Sequence, residues 1–161
     1  MAASHLSGGY FPLYPHRDDL DPDVRTFITN FYRASDMPKS NELWISYFTS
    51  DAQVTMGNDQ GQGVQEIRAL RARMWDGVES RKHTVSKVFP ARFKELSPSP
   101  EIGNGGKGGE HELMLFGEVH RVLTDGSEVR IPWATHAIVK KVSEGERQEW
   151  KLSHYRVWLQ A

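Results

Sequence analysis

The chain has 161 residues and a mass of 18.4 kDa, enough for one domain with a single sizeable core and short for two. Hydrophobic residues make up 38% and charged residues 25%, a globular composition, and 20 Lys and Arg against 21 Asp and Glu leave a formal net charge of −1. That balance excludes the basic field that would hold nucleic acid or an anionic membrane, and the absence of cysteine excludes a disulfide frame, a thiolate nucleophile and a Cys-built metal site. No basic-then-apolar leader opens the chain and no long apolar run crosses it, so a soluble, cytoplasmic protein without membrane contact is expected.

Residues 1–20 mix Gly8, Gly9, Pro12 and Pro15 with Tyr10, Phe11, Leu13 and Tyr14. This is too punctuated for a helix and too aromatic for a solvated tail, so an extended arm packed over the pocket mouth or a partner subunit is expected; an unordered terminus is the alternative. Asp21-Pro22 then supplies a cap and a first-turn proline, and Val24, Phe27, Ile28, Phe31 and Tyr32 recur at spacings of three and four, which predicts a helix ending near Asp36-Met37-Pro38. A short second helix follows Ser40, with Leu43, Trp44, Tyr47 and Phe48 on one side. Ala52–Met56 alternates like a strand, Asn58–Gly63 reads as a turn cluster, and Val64, Ile67, Leu70 and Met74 mark a third helix whose Arg68, Arg71 and Arg73 form a solvated face.

From residue 82 the apolar period changes to two. His83–Phe93, Glu110–Leu123, Val129–Lys141 and Gln148–Leu159 are four long strand candidates, expected to be antiparallel and separated by a glycine-rich loop at 97–109 and turns at 124–127 and 143–145. Helices first and strands after predict an α+β fold in which the N-terminal helices cover one face of a curved sheet.

Several polar groups interrupt these apolar faces. In the strand at 110–123, Met114, Phe116, Glu118, His120 and Val122 alternate with Leu113, Leu115, Gly117, Val119, Arg121 and Leu123. Both sets are mostly apolar, so both faces require cover, one by helices and the other by a second subunit. Glu118 and His120 read either as a half-buried proton-transfer pair or as rim residues paired with neighbours such as Arg130. In the last strand, alternation puts Trp150, Leu152, His154, Arg156 and Trp158 on one face, a wall suited to a planar ligand or to a dimer interface. His136 reads as a structural histidine. Asp36, where the first helix runs out, and His83, at the start of the long strands, form a carboxylate–imidazole dyad if the helix crosses the sheet's concave face; otherwise Asp36 is a turn residue. No His-x-His or His-Glu-x-x-His pair, serine elbow or phosphate loop occurs, so neither a metal nor a nucleotide cofactor is expected.

The order of Phe31-Tyr32-Arg-Ala-Ser-Asp36, Tyr47-Phe48-Thr-Ser-Asp51-Ala-Gln-Val54, Gly63-Val-Gln-Glu-Ile67, Ser80-Arg-Lys-His83 and Trp150-Lys-Leu152-Ser-His154-Tyr155 resembles the nuclear transport factor 2-like superfamily, and within it the SnoaL-like proteins. The resemblance spans roughly residues 22–160. It implies a cone-shaped fold over residues 21–161, a strongly bent antiparallel sheet around a pocket closed by the helices, with homodimers through the sheet's outer face. Members include cofactor-independent polyketide cyclases, ketosteroid isomerases and scytalone dehydratase, and others that only bind or assemble. By similarity to scytalone dehydratase, Asp36 and His83 match acid–base residues and His120 a second histidine. Where that enzyme has two water-orienting tyrosines this chain has Ser35 and Met56, and Glu118 is an added carboxylate.

The expectation is thus a cofactor-free lyase, isomerase or cyclase acting on an apolar, polycyclic or polyketide-like small molecule. His83, held by Asp36, moves a proton and Glu118 or His120 serves as the complementary acid, with Phe31, Tyr32, Trp44, Met56, Phe116, Trp150 and His154 against the substrate. The competing expectation is a non-catalytic binding or dimerisation module. A cavity of a few hundred Å³ with convergent ionisable groups favours the first and a filled cone the second.

Overall fold

The computed structural model describes residues 9–93 and 109–160. Residues 1–8 of the arm and all of the glycine-rich loop except Gly109 lie outside the described residues.

Helix α1 (Pro22–Ser35) begins where the Asp21 carboxylate accepts the Asp23 N–H at 2.9 Å, with Pro22 in the first turn, where an N–H has no helical partner anyway. Val24, Phe27, Ile28, Phe31 and Tyr32 share its buried face. Helix α2 (Asn41–Ser46) buries Trp44 and Ile45 but leaves Leu43 half-exposed, because the chain enters β1 (Phe48–Met56) before Tyr47 and Phe48 could extend the helical stripe. The expected turn cluster folds around Gly57, at φ +59°, into the short strand β2 (Asp59–Gln62). Helix α3 (Gly63–Arg73) leads into β3 (Val78–Ala91), β4 (Glu110–Leu123), β5 (Glu128–Glu144) and β6 (Arg147–Leu159).

The six strands form one sheet in the order β2-β1-β6-β5-β4-β3, with the helices against its concave face. The four long strands pair antiparallel as expected, whereas β1 joins β6 in parallel. Ser86 in β3 and Ser153 in β6 are extra residues at register shifts. Each resets the alternation: Val85 and Val88 both face the core, as do Leu152 and Tyr155. Trp150 and Leu152 therefore point inward while His154, Arg156 and Trp158 point outward, which corrects the single face expected from uninterrupted alternation.

At Gly117 a Cβ would collide with the Thr84 carbonyl and come within 2.9 Å of the Trp133 ring. Glycine there lets the sheet bend tightly and lets the Trp133 indole lie across it. The arm at 9–20 runs beside β3. Leu13 donates to the carbonyl of the bulged Ser86 at 3.0 Å, and Gly9 and Leu13 carbonyls accept from Val85 and Val88. Tyr10 and Tyr14 pack on the core while Phe11 and Leu13 stay exposed.

Candidate active site

The site is assembled at the C-terminal end of α1, whose last carbonyls have no helical partner. Arg71 of α3 supplies donors: it is fully buried and reaches the carbonyls of Ala34 at 3.3 Å, Ser35 at 2.9 Å and Met37 at 2.8 Å, and Asn41 Oδ1 at 3.0 Å. Its guanidinium lies over the rings of Trp44 and Trp75. This corrects the solvated face expected for α3; Arg68 and Arg73 do stay at the surface, paired with Glu42 and Asp59. Arg81 of β3 donates to the same Ser35 carbonyl and lies 3.6 Å from Asp36 Oδ1.

Asp36, thus fixed, faces His83. Its Oδ1 is 2.6 Å from His83 Nδ1, and its Oδ2 accepts the His83 backbone N–H at 2.7 Å and the Tyr10 hydroxyl at 2.8 Å. Burial alone would raise the Asp36 pKa, but the hydrogen bonds from the His83 ring and backbone and from Tyr10 outweigh it and hold the carboxyl below its ordinary value. Burial also lowers the pKa of His83, aided by the charges of Arg81 and Arg121 and opposed by Asp36. At neutral pH the pair is therefore a carboxylate and a neutral imidazole, with the proton on Nδ1 and the lone pair on Nε2. Among the described residues nothing hydrogen-bonds to Nε2, and the side chain remains 13% exposed. This is the configuration of a general base.

Tyr32 and Trp133 flank the imidazole, with ring centroids at 5.2 and 5.8 Å. Tyr32 and Tyr155 share a hydrogen bond between hydroxyls at 3.1 Å. Burial raises both pKa values, that of Tyr155 to about 12, so both remain neutral phenols at physiological pH. Deeper in the cone the space narrows to a cavity of about 10 Å³ lined by Phe31, Tyr32, Leu115 and Tyr155 among others, room for about one water. A larger opening, about 400 Å³, lies outside the cone between the arm and α1. It touches Phe11, Tyr14, Arg25 and Arg33 but neither member of the dyad.

The structure brings Asp36 and His83 together and separates Glu118 and His120 from them. Both of the latter sit on the sheet's outer face, where Glu118 pairs with exposed Arg130 at 3.0 Å and His120 approaches Glu128 at 3.4 Å. The half-buried pair inside the pocket is thus corrected: the pleat sends Leu115, Gly117, Val119 and Arg121 inward and their neighbours out. Of the expected substrate contacts, Phe31 and Tyr32 line the cavity. Trp44 is buried behind Phe31, its indole N–H donated to Ser35 Oγ at 2.8 Å. Met56 packs at the end of β1, and Trp150 is buried beside His111 away from the dyad. Phe116 and His154 belong to the outer face. His136 is satisfied by Glu112 at 2.7 Å.

Tyr10, Arg81, Arg121, Trp133 and Tyr155 were not singled out from the sequence. For Trp133 a signal existed, since Ile131, Trp133, Thr135, Ala137 and Val139 alternate inward. Tyr155 was hidden by the Ser153 bulge, and Tyr10 reaches Asp36 only through tertiary folding. Among the described residues no group of three or more His, Cys, Asp or Glu side chains could hold a metal, and no helix is long and apolar enough to cross a membrane.

No family model matches the chain and no curated protein matches its sequence. Solved structures are similar in fold. A provisionally assigned scytalone dehydratase from Novosphingobium aromaticivorans superposes with a TM-score of 0.67 at 13% identity, over 86% of this chain and 82% of that one. ActVI-ORFA from Streptomyces coelicolor gives 0.62 at 13% identity over 85% and 94%. Nuclear transport factor 2 from Cryptosporidium parvum gives 0.61 at 14% identity over 89% and 100%. The bent six-stranded sheet, the helices in its concavity and these superpositions together show that the chain has the nuclear transport factor 2-like fold.

Proposed function

We propose that the chain is a cofactor-independent acid–base enzyme, a lyase, isomerase or cyclase acting on an apolar polycyclic or polyketide-like ketone. The observation that carries this is the largely buried Asp36–His83 dyad, in which the carboxylate is held by three donors and the imidazole Nε2 has no partner among the described residues. A base so placed removes a proton beside a carbonyl and returns it elsewhere, and the Tyr32 phenol beside it, hydrogen-bonded to that of Tyr155, is a neutral donor on the inner face, where Glu118 and His120 are not. The similar structure assigned provisionally as a scytalone dehydratase supports the substrate class. The test is proton–deuterium exchange at the α carbon of 2-tetralone, a bicyclic ketone, followed by NMR. His83→Ala should slow exchange by about two orders of magnitude; an unchanged rate in that variant removes His83 from the mechanism.

The size of the inner cavity, about 10 Å³, favours a second reading, a binding or assembly module whose cone is filled by its own side chains. Absence of exchange in the unmodified protein favours that reading. In either case we propose that the outer face pairs with a second copy. Phe89, Met114, Phe116 and Trp158 are each 40–48% exposed there, with Phe116, Ala134 and Trp158 adjacent across three strands. Phe116→Glu should convert a dimer to a monomer in sedimentation; a wild-type monomer overturns this.

A further inference from the structure

The polar end of the cone carries more positive charge than it balances. Arg71 and Arg81 lean on the carbonyl end of α1, whose dipole supplies partial negative charge, and Arg81 also faces Asp36. Arg121 has no such compensation. It stands directly opposite Arg81 in the β3–β4 register, two residues along the same inward face from Val119, which is opposite His83. Among the described residues no carboxylate pairs with it, and its Nε is buried without a hydrogen-bond partner. The indole N–H of Trp133, which flanks His83, is likewise buried and unpartnered. Burying a guanidinium beside a second one is costly unless an anion accompanies it. Among the described residues, three buried or half-buried arginines stand against the single carboxylate of Asp36, which leaves room for an anion from a ligand.

We infer that Arg121, with Trp133, forms an anion subsite beside His83, and that the ligand of this site carries an anionic oxygen, a carboxylate or a phenolate or enolate, on an apolar ring. Arg121 is half-buried and His83 keeps part of its ring in solvent, so the anion is met at the mouth, with the ring toward Tyr32 and Trp133. The inference deepens the acid–base reading, since a guanidinium there would also stabilise the oxyanion formed when His83 takes a proton. It stands on the unpaired cation alone, however, and survives if the site only binds.

The experiment is binding by the full chain of benzoate, of 4-nitrophenolate at pH 8 and of neutral benzamide, read by calorimetry and by the NMR signals of the His83 ring and the Trp133 indole. Benzoate or 4-nitrophenolate should bind in preference to benzamide and raise the His83 pKa, and the stronger of the two identifies the source of the charge. Arg121→Met should weaken that binding about tenfold or more, as expected for loss of a charge-assisted hydrogen bond. It should not lower the melting temperature, since it removes an uncompensated buried charge. Arg130→Met, exposed on the opposite face, should bind as the wild type does. Equal binding of benzoate and benzamide, no binding of either anion, undiminished binding by Arg121→Met, or a melting point several degrees lower in that variant overturns the subsite. His83→Ala keeps benzoate binding while losing ketone exchange, so failure of the subsite and failure of the enzyme are read separately.

Discussion

Replacing Arg71 tests how the fold places the site. Its guanidinium makes four hydrogen bonds, three to carbonyls of residues 34, 35 and 37 and one to Asn41. Bonds to a charged group are worth about 1.5–3 kcal/mol each. The longest, at 3.3 Å, contributes least, and Ser35 O retains Arg81. Against these stands the cost of keeping a cation dry: burial, with repulsion from Arg81, pulls the Arg71 pKa down to about 9, so methionine in its place recovers part of the loss. The net expectation for Arg71→Met is destabilisation of about 3 kcal/mol, a fall in melting temperature of roughly 6–12 °C for a chain of this size. It should appear as a lower urea midpoint at unchanged slope. Arg71→Lys should restore little, because an ammonium cannot reach four acceptors arrayed around a planar fork. A loss below about 1 kcal/mol, or full restoration by lysine, would refute the idea that this side chain ties α1 to α3.

The folded pKa values of both Asp36 and His83 are depressed, so the unfolded chain binds more protons and stability must rise with pH through each window. The His83 contribution is complete above the ordinary value of 6.5 and fades as pH falls toward its folded value, and that of Asp36 is complete above 3.8 and fades below it. Urea midpoints should therefore fall on acidification from neutral pH, and Asp36→Asn should flatten the fall only below pH 3.8, where it has no carboxyl to protonate; a midpoint that rises contradicts the sign. Gly117→Ala forces a methyl group into the Thr84 carbonyl and the Trp133 ring and should cost about 2–4 kcal/mol by thermal melting, with an unchanged melting point arguing against that close approach. Tyr10→Phe removes one donor from Asp36, leaving its charge less neutralised, so the His83 pKa should move upward in an NMR titration; no movement detaches the arm from the dyad. Glu118→Gln should leave ketone exchange unchanged, since Glu118 pairs with Arg130 across the sheet from His83.

What the sequence made legible was local. The Asp-Pro cap and the three–four spacing of α1 are contained within about a dozen residues, and β4 runs from Glu110 to Leu123 as alternation predicts. The dyad could be suspected because Asp36 ends that helix and His83 opens the strands. Faces were harder, because β4 is mostly apolar on both sides and hydrophobicity alone cannot choose between them. The decisive clue was Gly117 in the inward set, where strand backbones and Trp133 crowd too closely for a side chain. The bulges at Ser86 and Ser153 depend on pairing with distant strands, and β2, which reads Asp-Gln-Gly-Gln, has no apolar alternation and exists through its ladder with β1. Arg71 looked like its surface neighbours because its acceptors come from residues some thirty positions earlier in the chain.

Two histidines of this sheet differ in what surrounds them. His136, on the outer face, closes its Nε2 onto Glu112 at 2.7 Å and is satisfied where it stands. His83 is more deeply buried, and the chain commits to it a carboxylate, a tyrosine from the arm and an arginine-held helix end, an arrangement whose desolvation costs several kcal/mol before its hydrogen bonds offset it. Of the His83 ring nitrogens, only Nδ1 has a partner among the described residues. The ring is held through Nδ1 while its other nitrogen keeps access to solvent near Arg121, whose Nε has no partner among the described residues; on the proposed acid–base reading this is the polarity that proton abstraction from an acidic carbon requires.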